Sequence, residues 1–537
     1  MSEQGRRMDE SSGASSCGFT LFDAFERSAA LHAQRPAVRC GSNTWSFQQL
    51  HSRVSAVCTA LRERWLRPGD RVVVRSDNCH RYMELYLACA GLGAIVVPLD
   101  VRLAEEEVRA ILAETAPTLL VADQVERLEW MHRLYSGAEA SVLLGDGSTP
   151  SGEGVVAYES LTSGPTRPVR DGVIGADAPV ALFYTAAVAG RPRGAALTHR
   201  NLITQVTTTG EPLDIGEQDA HGVFLPLSHT FGAYLMFVAV CRGAANTMLT
   251  SFDPNEAARR IAAGEVSFFA EFAPMAARIA DAADAAKSAF PGGLRLVMGL
   301  DAPVTIARYR DAGVQWWGFY GQTETAGLVA MGRVGDGPIE SNYVGRPLPL
   351  VRMSVRDSKG SPVEPGEPGE AWVRSDAVVQ RYWPDEPTRL TQDGWLRTGD
   401  VLRVGADQNM WFIGRTSDKD LIKPGGLNVY PAEVELALQA HPAVSRAFVF
   451  GVPDPAWRER VCAVVLPSAE FGGTDAAALA AFCATKIAGF KCPRADSIVI
   501  VADGGDLPEA PSREAMRRRY GARLETVAKG AADEAAK

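Results

Sequence analysis

What most constrains the fold is a series of short apolar runs separated by stretches of helical periodicity in the first quarter of the chain. Arg71–Arg75, Ala94–Asp100 and Thr118–Ala122 read as strands, the second fully buried and closed by a turn. Between and before them, Leu21–His32, Ser46–Trp65, Met83–Leu92 and Glu105–Glu114 carry apolar residues at helical spacing. Strands alternating with helices in this way give a parallel α/β sheet. From Val344 to Arg403 the pattern changes to short strands with turn punctuation at Pro365–Gly369, which predicts a β-rich subdomain. Gly145–Asp177, rich in Gly, Ser and Pro, reads as a loop, and Ala528–Lys537 as a frayed end.

Composition narrows the function classes. At 537 residues the chain has room for more than one domain. A net charge of −9 disfavours a nucleic-acid partner held by phosphate attraction. The longest apolar run, Phe231–Cys241, falls far short of the ~20 residues a membrane helix needs, so no integral membrane segment is expected. Nine cysteines are scattered with no Cys-x-x-Cys pair, as expected of reduced thiols in a cytoplasmic protein. Residues 1–18 are polar, lack the apolar centre of a secretory signal, and read as a disordered leader.

The first chemical signal is Phe183–Asn201. An apolar strand-like run ends at Phe183, small residues follow up to Gly190, cations stand at Arg191 and Arg193, and a helix-like segment begins after Leu197. A strand, a small-residue loop and a helix is the layout that wraps backbone N–H groups around phosphates. No Gly-Lys-Ser/Thr follows, so this is not a Walker loop, and alone a plain surface turn explains it better. Four other stretches change the balance. Phe319–Thr325 offers an aromatic ring for a purine, a carboxylate for Mg2+ and hydroxyls for phosphate. Gly394–Asp400 places an acid after a tight turn, where it can accept from ribose hydroxyls. Gly414–Glu435 joins a cation, a charged link, a Gly-Gly pair and a helix start at Pro431. Pro226–Gly232 contains His229, which by itself is more often a structural histidine.

In this order and at these separations, the segments resemble the adenylate-forming superfamily of acyl-CoA synthetases, luciferases and peptide-synthetase adenylation domains, from Leu21 to Tyr520. Gly93–Asp100, Gly345–Pro349, Gly369–Trp383 and Gly451–Asp454 extend the match. The resemblance implies an α/β fold with a large N-terminal domain of parallel α/β sheets plus the β-rich subdomain (residues 19–415). A hinge at 416–418, a small mobile α+β C-terminal domain at 419–523 and a flexible tail at 524–537 follow. It further implies two half-reactions. A carboxylate attacks the α-phosphate of ATP and pyrophosphate leaves; a thiol of CoA or an acyl-carrier protein then takes the acyl group. By similarity Tyr320 packs on adenine, Thr323 approaches the α-phosphate, Glu324 holds Mg2+, and Asp400 and Arg415 take the ribose. Thr185, Gly190, Arg193 and Gly194 belong to the phosphate loop, and Ala302 and Gly321 to the purine side. His229 sits beside the acyl carboxylate and the thiol route, Ser417 or Asp418 is the hinge, and Lys423, Gly425 and Gly426 form the thiolation hairpin.

The pattern also breaks. Where the family reads Thr-Ser-Gly-Thr-Thr-Gly-x-Pro-Lys-Gly, this chain has lost hydroxyls at Ala186, Val188 and Ala189, a glycine at Ala187, and the lysine to Arg193. Three lost hydrogen bonds to a charged ligand would weaken phosphate holding by ~5 kcal/mol if additive, part of which the Arg193 fork offsets. The C-terminal adenylation lysine is missing: strict register puts Glu514 there, a one-residue slip Arg513. The purine-side Gly-Gly-Ala-Pro is Leu300-Asp301-Ala302-Pro303, Phe272 enters the acyl pocket segment, and Glu271 beside it is a polar residue that would meet an amine or hydroxyl of the substrate. The leading expectation is an ATP-, Mg2+- and CoA-dependent ligase of a carboxylic acid. The alternatives are a ligase that uses a pre-activated acyl group, and a non-catalytic nucleotide or acyl-adenylate binder.

Overall fold

The computed structural model describes residues 18–537 except 146–153, 165, 167–168, 170–173, 186–192, 289–290, 336–338, 341, 417–420, 456, 469–473, 502–511 and 536–537. Two large sheets and one small sheet organise it. In the nine-stranded sheet, Pro179–Thr185, Ile95–Pro98, Arg71–Arg75, Leu119–Ala122 and Ala140–Leu143 lie side by side and parallel, as the alternating pattern requires. Arg193–Thr198 then turns back antiparallel on Pro179–Thr185. The thirteen-stranded sheet has a parallel run of Ala245–Met248, Ala220–Val223, Phe268–Ala270, Leu296–Met298 and Gln315–Gln322.

Between these sheets lies the main core, and two helices in it are buried at every position: His80–Leu92 and Thr230–Cys241. A helix that is apolar all round belongs in such a layer. The run Phe231–Cys241 is therefore core, and among the described residues no helix is long and apolar enough to cross a membrane. Fully burying a Phe or Leu side chain here contributes ~1.5–3 kcal/mol, so the helix that begins after His229 is firmly placed. The first helix, Leu21–Leu31, starts at a capping box of Thr20 with Asp23. Gly93 ends His80–Leu92 in the left-handed conformation and turns the chain into the strand Ile95–Pro98.

One sequence reading, the loop at Gly145–Asp177, needs correction, and the β-rich subdomain and the C-terminal stretch gain detail. The β-rich stretch is continuous with the large sheet, because Tyr343–Pro347 pairs with Gly327–Arg333 and carries Met410–Arg415, Leu396–Val404, Pro368–Arg374 and Arg352–Arg356 beyond it. Within Gly145–Asp177, the described residues include a strand at Val155–Ala157 and a helical turn at Glu159–Thr162, both too short for a periodic signal. Helix Arg513–Ala535 runs through the stretch read as a tail, and Leu524 is buried against the small sheet's outer cluster. That sheet, Val444–Asp454, Arg458–Pro467 and Ile498–Ile500, has Pro431–Gln439 and Ala476–Lys486 packed on one core and Arg513–Ala535 on another.

Candidate active site

The carboxyl ends of Ala220–Val223, Phe268–Ala270, Leu296–Met298 and Gln315–Gln322 open at one edge of their sheet, the edge where open α/β sheets take ligands. There Gln315–Gln322 runs into the single turn Thr323–Thr325. The Tyr320 hydroxyl donates to Asp400 Oδ2 at 2.8 Å. Asp400 stands opposite Arg415 in antiparallel register, with 3.8 Å between Arg415 Nε and Asp400 Oδ1. Arg415 also donates to the Leu421 carbonyl at 2.8 Å. Burial, and then the Asp400 carboxylate, raise the Tyr320 phenol far above its usual range, so it stays a donor.

Glu324 accepts from the Tyr382 hydroxyl at 2.9 Å. Tyr382 pairs with Ala195, and the Arg193 guanidinium lies 5.3 Å from its ring centroid while pairing with Glu386 at 3.1 Å. The start of the strand Arg193–Thr198 is thereby held beside Glu324. Thr185 and Arg193 face each other at the mouth of that loop, and the Thr185 hydroxyl donates to the Arg193 carbonyl at 3.4 Å. Gly194 lies against the Tyr184 ring, which a Cβ would approach at 3.1 Å. Gly321 admits no side chain, since a Cβ would sit 2.1 Å from the Gly327 carbonyl oxygen. Ala302 begins the helix Pro303–Asp311 one strand over, and its N–H donates to Asp301 at 2.6 Å. Gly190, residues 186–189, Ser417 and Asp418 lie outside the described residues.

His229 caps the buried helix Thr230–Cys241: the Phe231 N–H donates to His229 Nδ1 at 3.2 Å, which leaves Nε2 to carry the ring proton. The next residue ties this helix to the Thr323 turn, the Thr230 hydroxyl donating to that of Thr323 at 3.2 Å. Phe272 meets the His229 ring edge-on at 6.0 Å and packs with Phe231, which in turn packs on Phe319. Against this aromatic wall comes the hairpin Ile422–Val429. Gly426, at φ +83°, lies so close to Phe272 that a Cβ would be 2.6 Å from its ring, and a Cβ on Gly425 would be 2.9 Å from Trp457. Burial holds the His229 imidazole down at about 4, with Lys423 and Arg102 adding to that and Asp100 opposing it. Asp100 itself is kept below the usual range, because its bonds from Arg102 outweigh the effect of burial.

His229 stays neutral down to about 4, against 6.5 for a free histidine, so transfer to a thiol should show no inflection near pH 6.5 from this ring. Between those values the unfolded chain binds more protons than the folded one, so this residue's contribution to stability is lost as pH falls through the window. Titration of the His229 ring by NMR checks both, and a folded pKa near 6.5 would contradict them.

Sequence motifs assign no role to Tyr382, Tyr430, Asp100 or Arg102. Tyr430 is buried with its phenol raised, first by burial and then by the nearby carboxylates of Glu324 and Asp400, so it stands close to both. Glu271 is turned away from the aromatic wall: wholly buried, it packs on Gly299 beside Asp301, with burial and then Asp301 raising its carboxyl well above the ordinary range. Among the described residues no group of three or more His, Cys, Asp or Glu is arranged to hold a metal ion. A lone carboxylate such as Glu324 fits Mg2+ only where phosphate oxygens and water complete the shell.

The Thr230–Thr323 bond joins two groups of side chains, a polar one of Tyr320, Asp400, Arg415, Glu324 and Tyr382 and an aromatic one of His229, Phe272, Phe231 and Phe319. Together with the comparisons that follow, the class is the acyl-CoA synthetase-like acid–thiol ligase. A model of the AMP-binding enzyme family matches residues 25–383, and one of the AMP-binding enzyme C-terminal domain matches residues 433–512. The chain belongs to the AMP-binding enzyme family. It is 31% identical to a feruloyl-CoA synthase of Amycolatopsis sp. over 506 residues, covering 92% of this chain and 98% of that protein. An indoleacetate–CoA ligase of Aromatoleum aromaticum is 29% identical, with 88% and 93% covered. The solved structure of an amide bond synthetase from Marinactinospora thermotolerans superposes with a TM-score of 0.79 at 25% identity, over 93% of this chain and 99% of that one.

Proposed function

We propose that the chain joins an aromatic carboxylic acid to AMP and then passes the acyl group to the thiol of CoA or of a carrier protein. In the first step a carboxylate oxygen bonds to the α-phosphorus of ATP and pyrophosphate leaves. In the second, sulfur bonds to the acyl carbon and AMP leaves. The observation that carries this reading is the meeting of His229, Phe272 and Gly426, which places the small lobe's hairpin against the aromatic wall. Asp400 and Arg415 are assigned to the ribose, Tyr320 to the adenine, and Thr185, Gly190, Arg193, Gly194 and Thr323 to the phosphates. Ala302 and Gly321 complete the purine side. Mg2+ would neutralise phosphate charge, and Glu324 is the side chain that would hold it.

The rings of Phe231, Phe272 and Phe319 favour a flat acyl group, and the feruloyl and indoleacetate relatives support that class. Residues 19–415 are assigned to a large domain, 416–418 to a hinge and 419–523 to a small rotating domain. Lys423, Gly425 and Gly426 serve the thiol step in the orientation described. Free thiols at the described cysteines support a cytoplasmic setting.

A second reading is favoured by the C-terminal helix. Arg513 is engaged in a two-pronged pair with Glu435, at 2.5 and 2.6 Å, and Glu514 pairs with Arg518 on the exposed face. A chain without the adenylation cation would accept a ready-made acyl-adenylate and make a thioester or amide from it. The two are separated by assaying pyrophosphate release from ATP with hydroxycinnamic, benzoic and indole-acetic acids, beside CoA acylation from synthetic acyl-adenylate. Activity in both assays supports the full ligase; activity only with the adenylate supports the second reading; activity in neither sinks both.

A further inference from the structure

The small lobe is joined to the large one by a buried ion cluster in which Glu433 lies at the end of the Gly414–Glu435 stretch, while Glu107 and Lys491 lie outside the motifs above. Lys491 Nζ lies 2.5 Å from Glu107 Oε1 on the helix Glu105–Thr115 and 2.6 Å from Glu433 Oε1 on the helix Pro431–Gln439. All three side chains are about 95% buried, at 5% exposure each. Glu107 Oε2 accepts from the Ala488 N–H at 2.8 Å, and also from the Ala104 N–H at 2.9 Å, at the start of its own helix. One carboxylate thus grips both lobes at once. Beside the cluster runs a cleft of about 790 Å³ between these same two helices, so close apolar packing does not fix the junction there. Glu433 follows the hairpin glycine Gly426 by seven positions on the same short segment, so where Glu433 is pinned, the hairpin is placed.

We infer that Glu107, Lys491 and Glu433 form a latch between the lobes that positions the Gly425–Gly426 hairpin against His229 for the thiol-transfer step. They act as positioning residues, through the hairpin rather than on the reacting atoms. The inference rests on the reading that the orientation described is the one used for thiol transfer. A buried ion cluster of this kind contributes little net stability but sets which of two packings is adopted. Once the lobes separate, Lys491 keeps Glu433 and Glu107 returns to water, so the contact selects between orientations without binding either irreversibly. Replacing the lysine with an apolar residue leaves two carboxylates facing each other only in the latched state.

The test uses the full chain and measures the half-reactions separately: pyrophosphate release from ATP and acid, and CoA acylation from supplied acyl-adenylate. Lys491→Met and Glu107→Ala should each slow acylation tenfold or more while leaving pyrophosphate release within twofold. The two together should cost no more than either alone. Arg109→Ala, on the same helix and in an exposed pair with Glu105, should change neither step. Unchanged acylation in both variants overturns the latch, and so does a parallel fall of both half-reactions with the melting temperature. If the unaltered chain fails to acylate CoA from the adenylate, the thiol-transfer reading falls and the latch with it; wild-type turnover with an indifferent Lys491→Met removes the latch alone.

Discussion

Gly426→Ala is expected to slow CoA acylation from supplied acyl-adenylate by about 100-fold, while pyrophosphate release stays within twofold. Two costs add at this position. The backbone sits at φ +83°, where an L side chain costs ~1–2 kcal/mol. The new Cβ would also lie 2.6 and 2.8 Å from Phe272 carbons, closer than real Cβ atoms come, and overpacking of this kind costs ~1–3 kcal/mol. A sum of ~3 kcal/mol corresponds to about two powers of ten. The cost falls only on the state in which the hairpin touches Phe272, which is why adenylation is spared. Adding Phe272→Ala should recover only a few-fold, read at saturating adenylate, because it removes the ring carbons at 2.6 and 2.9 Å but leaves the Phe272 Cβ at 2.8 Å and the backbone strain. Rapid-quench acylation kinetics on the two single variants and the double variant decide the matter; a Gly426→Ala enzyme that acylates CoA at the normal rate would mean that the hairpin is elsewhere during transfer.

Glu324→Gln carries the other large effect, on the opposite half-reaction. It keeps the shape and the bond from Tyr382 but removes the charge, and losing one preorganised electrostatic partner of a transition state costs ~10²–10³ in rate. Pyrophosphate release should fall by that amount and need more Mg2+ for what remains. Acylation from supplied adenylate, which involves no pyrophosphate, should change little. Tyr382→Phe removes only a neutral donor to a carboxylate, ~1.5–3 kcal/mol, so its effect should be the smaller one. Pyrophosphate-coupled assays across a Mg2+ titration distinguish these outcomes. Equal losses in both half-reactions would show that Glu324 supports the fold rather than the phosphates.

What could be seen in the sequence was local. Short apolar runs and helical spacing marked the elements around Arg71–Arg75 and Glu105–Thr115, because strand and helix periods are written within a few residues. Motif order placed Tyr320, Glu324 and Asp400 in one functional set, and the Tyr320–Asp400 bond brings two of them together. Contacts between distant segments left no such trace. Tyr382 reaches Glu324 across 58 positions and Lys491 reaches Glu107 across 384, and no periodicity records either. The edge strands after Tyr343 join the large sheet through antiparallel pairings that their own composition does not specify. Register likewise could not decide between Arg513 and Glu514 for the missing lysine; the pair of Arg513 with Glu435 is a tertiary fact.

The groups around Asp400 and the aromatic wall around His229 are proposed to serve one bound molecule. Calorimetric titration with an acyl-sulfamoyl-adenosine, a stable mimic of an aromatic acyl-adenylate, tests it most directly. Asp400→Asn and Phe272→Ala, one from each side, should each weaken binding of this single ligand by tenfold or more. Binding untouched by either substitution would contradict it.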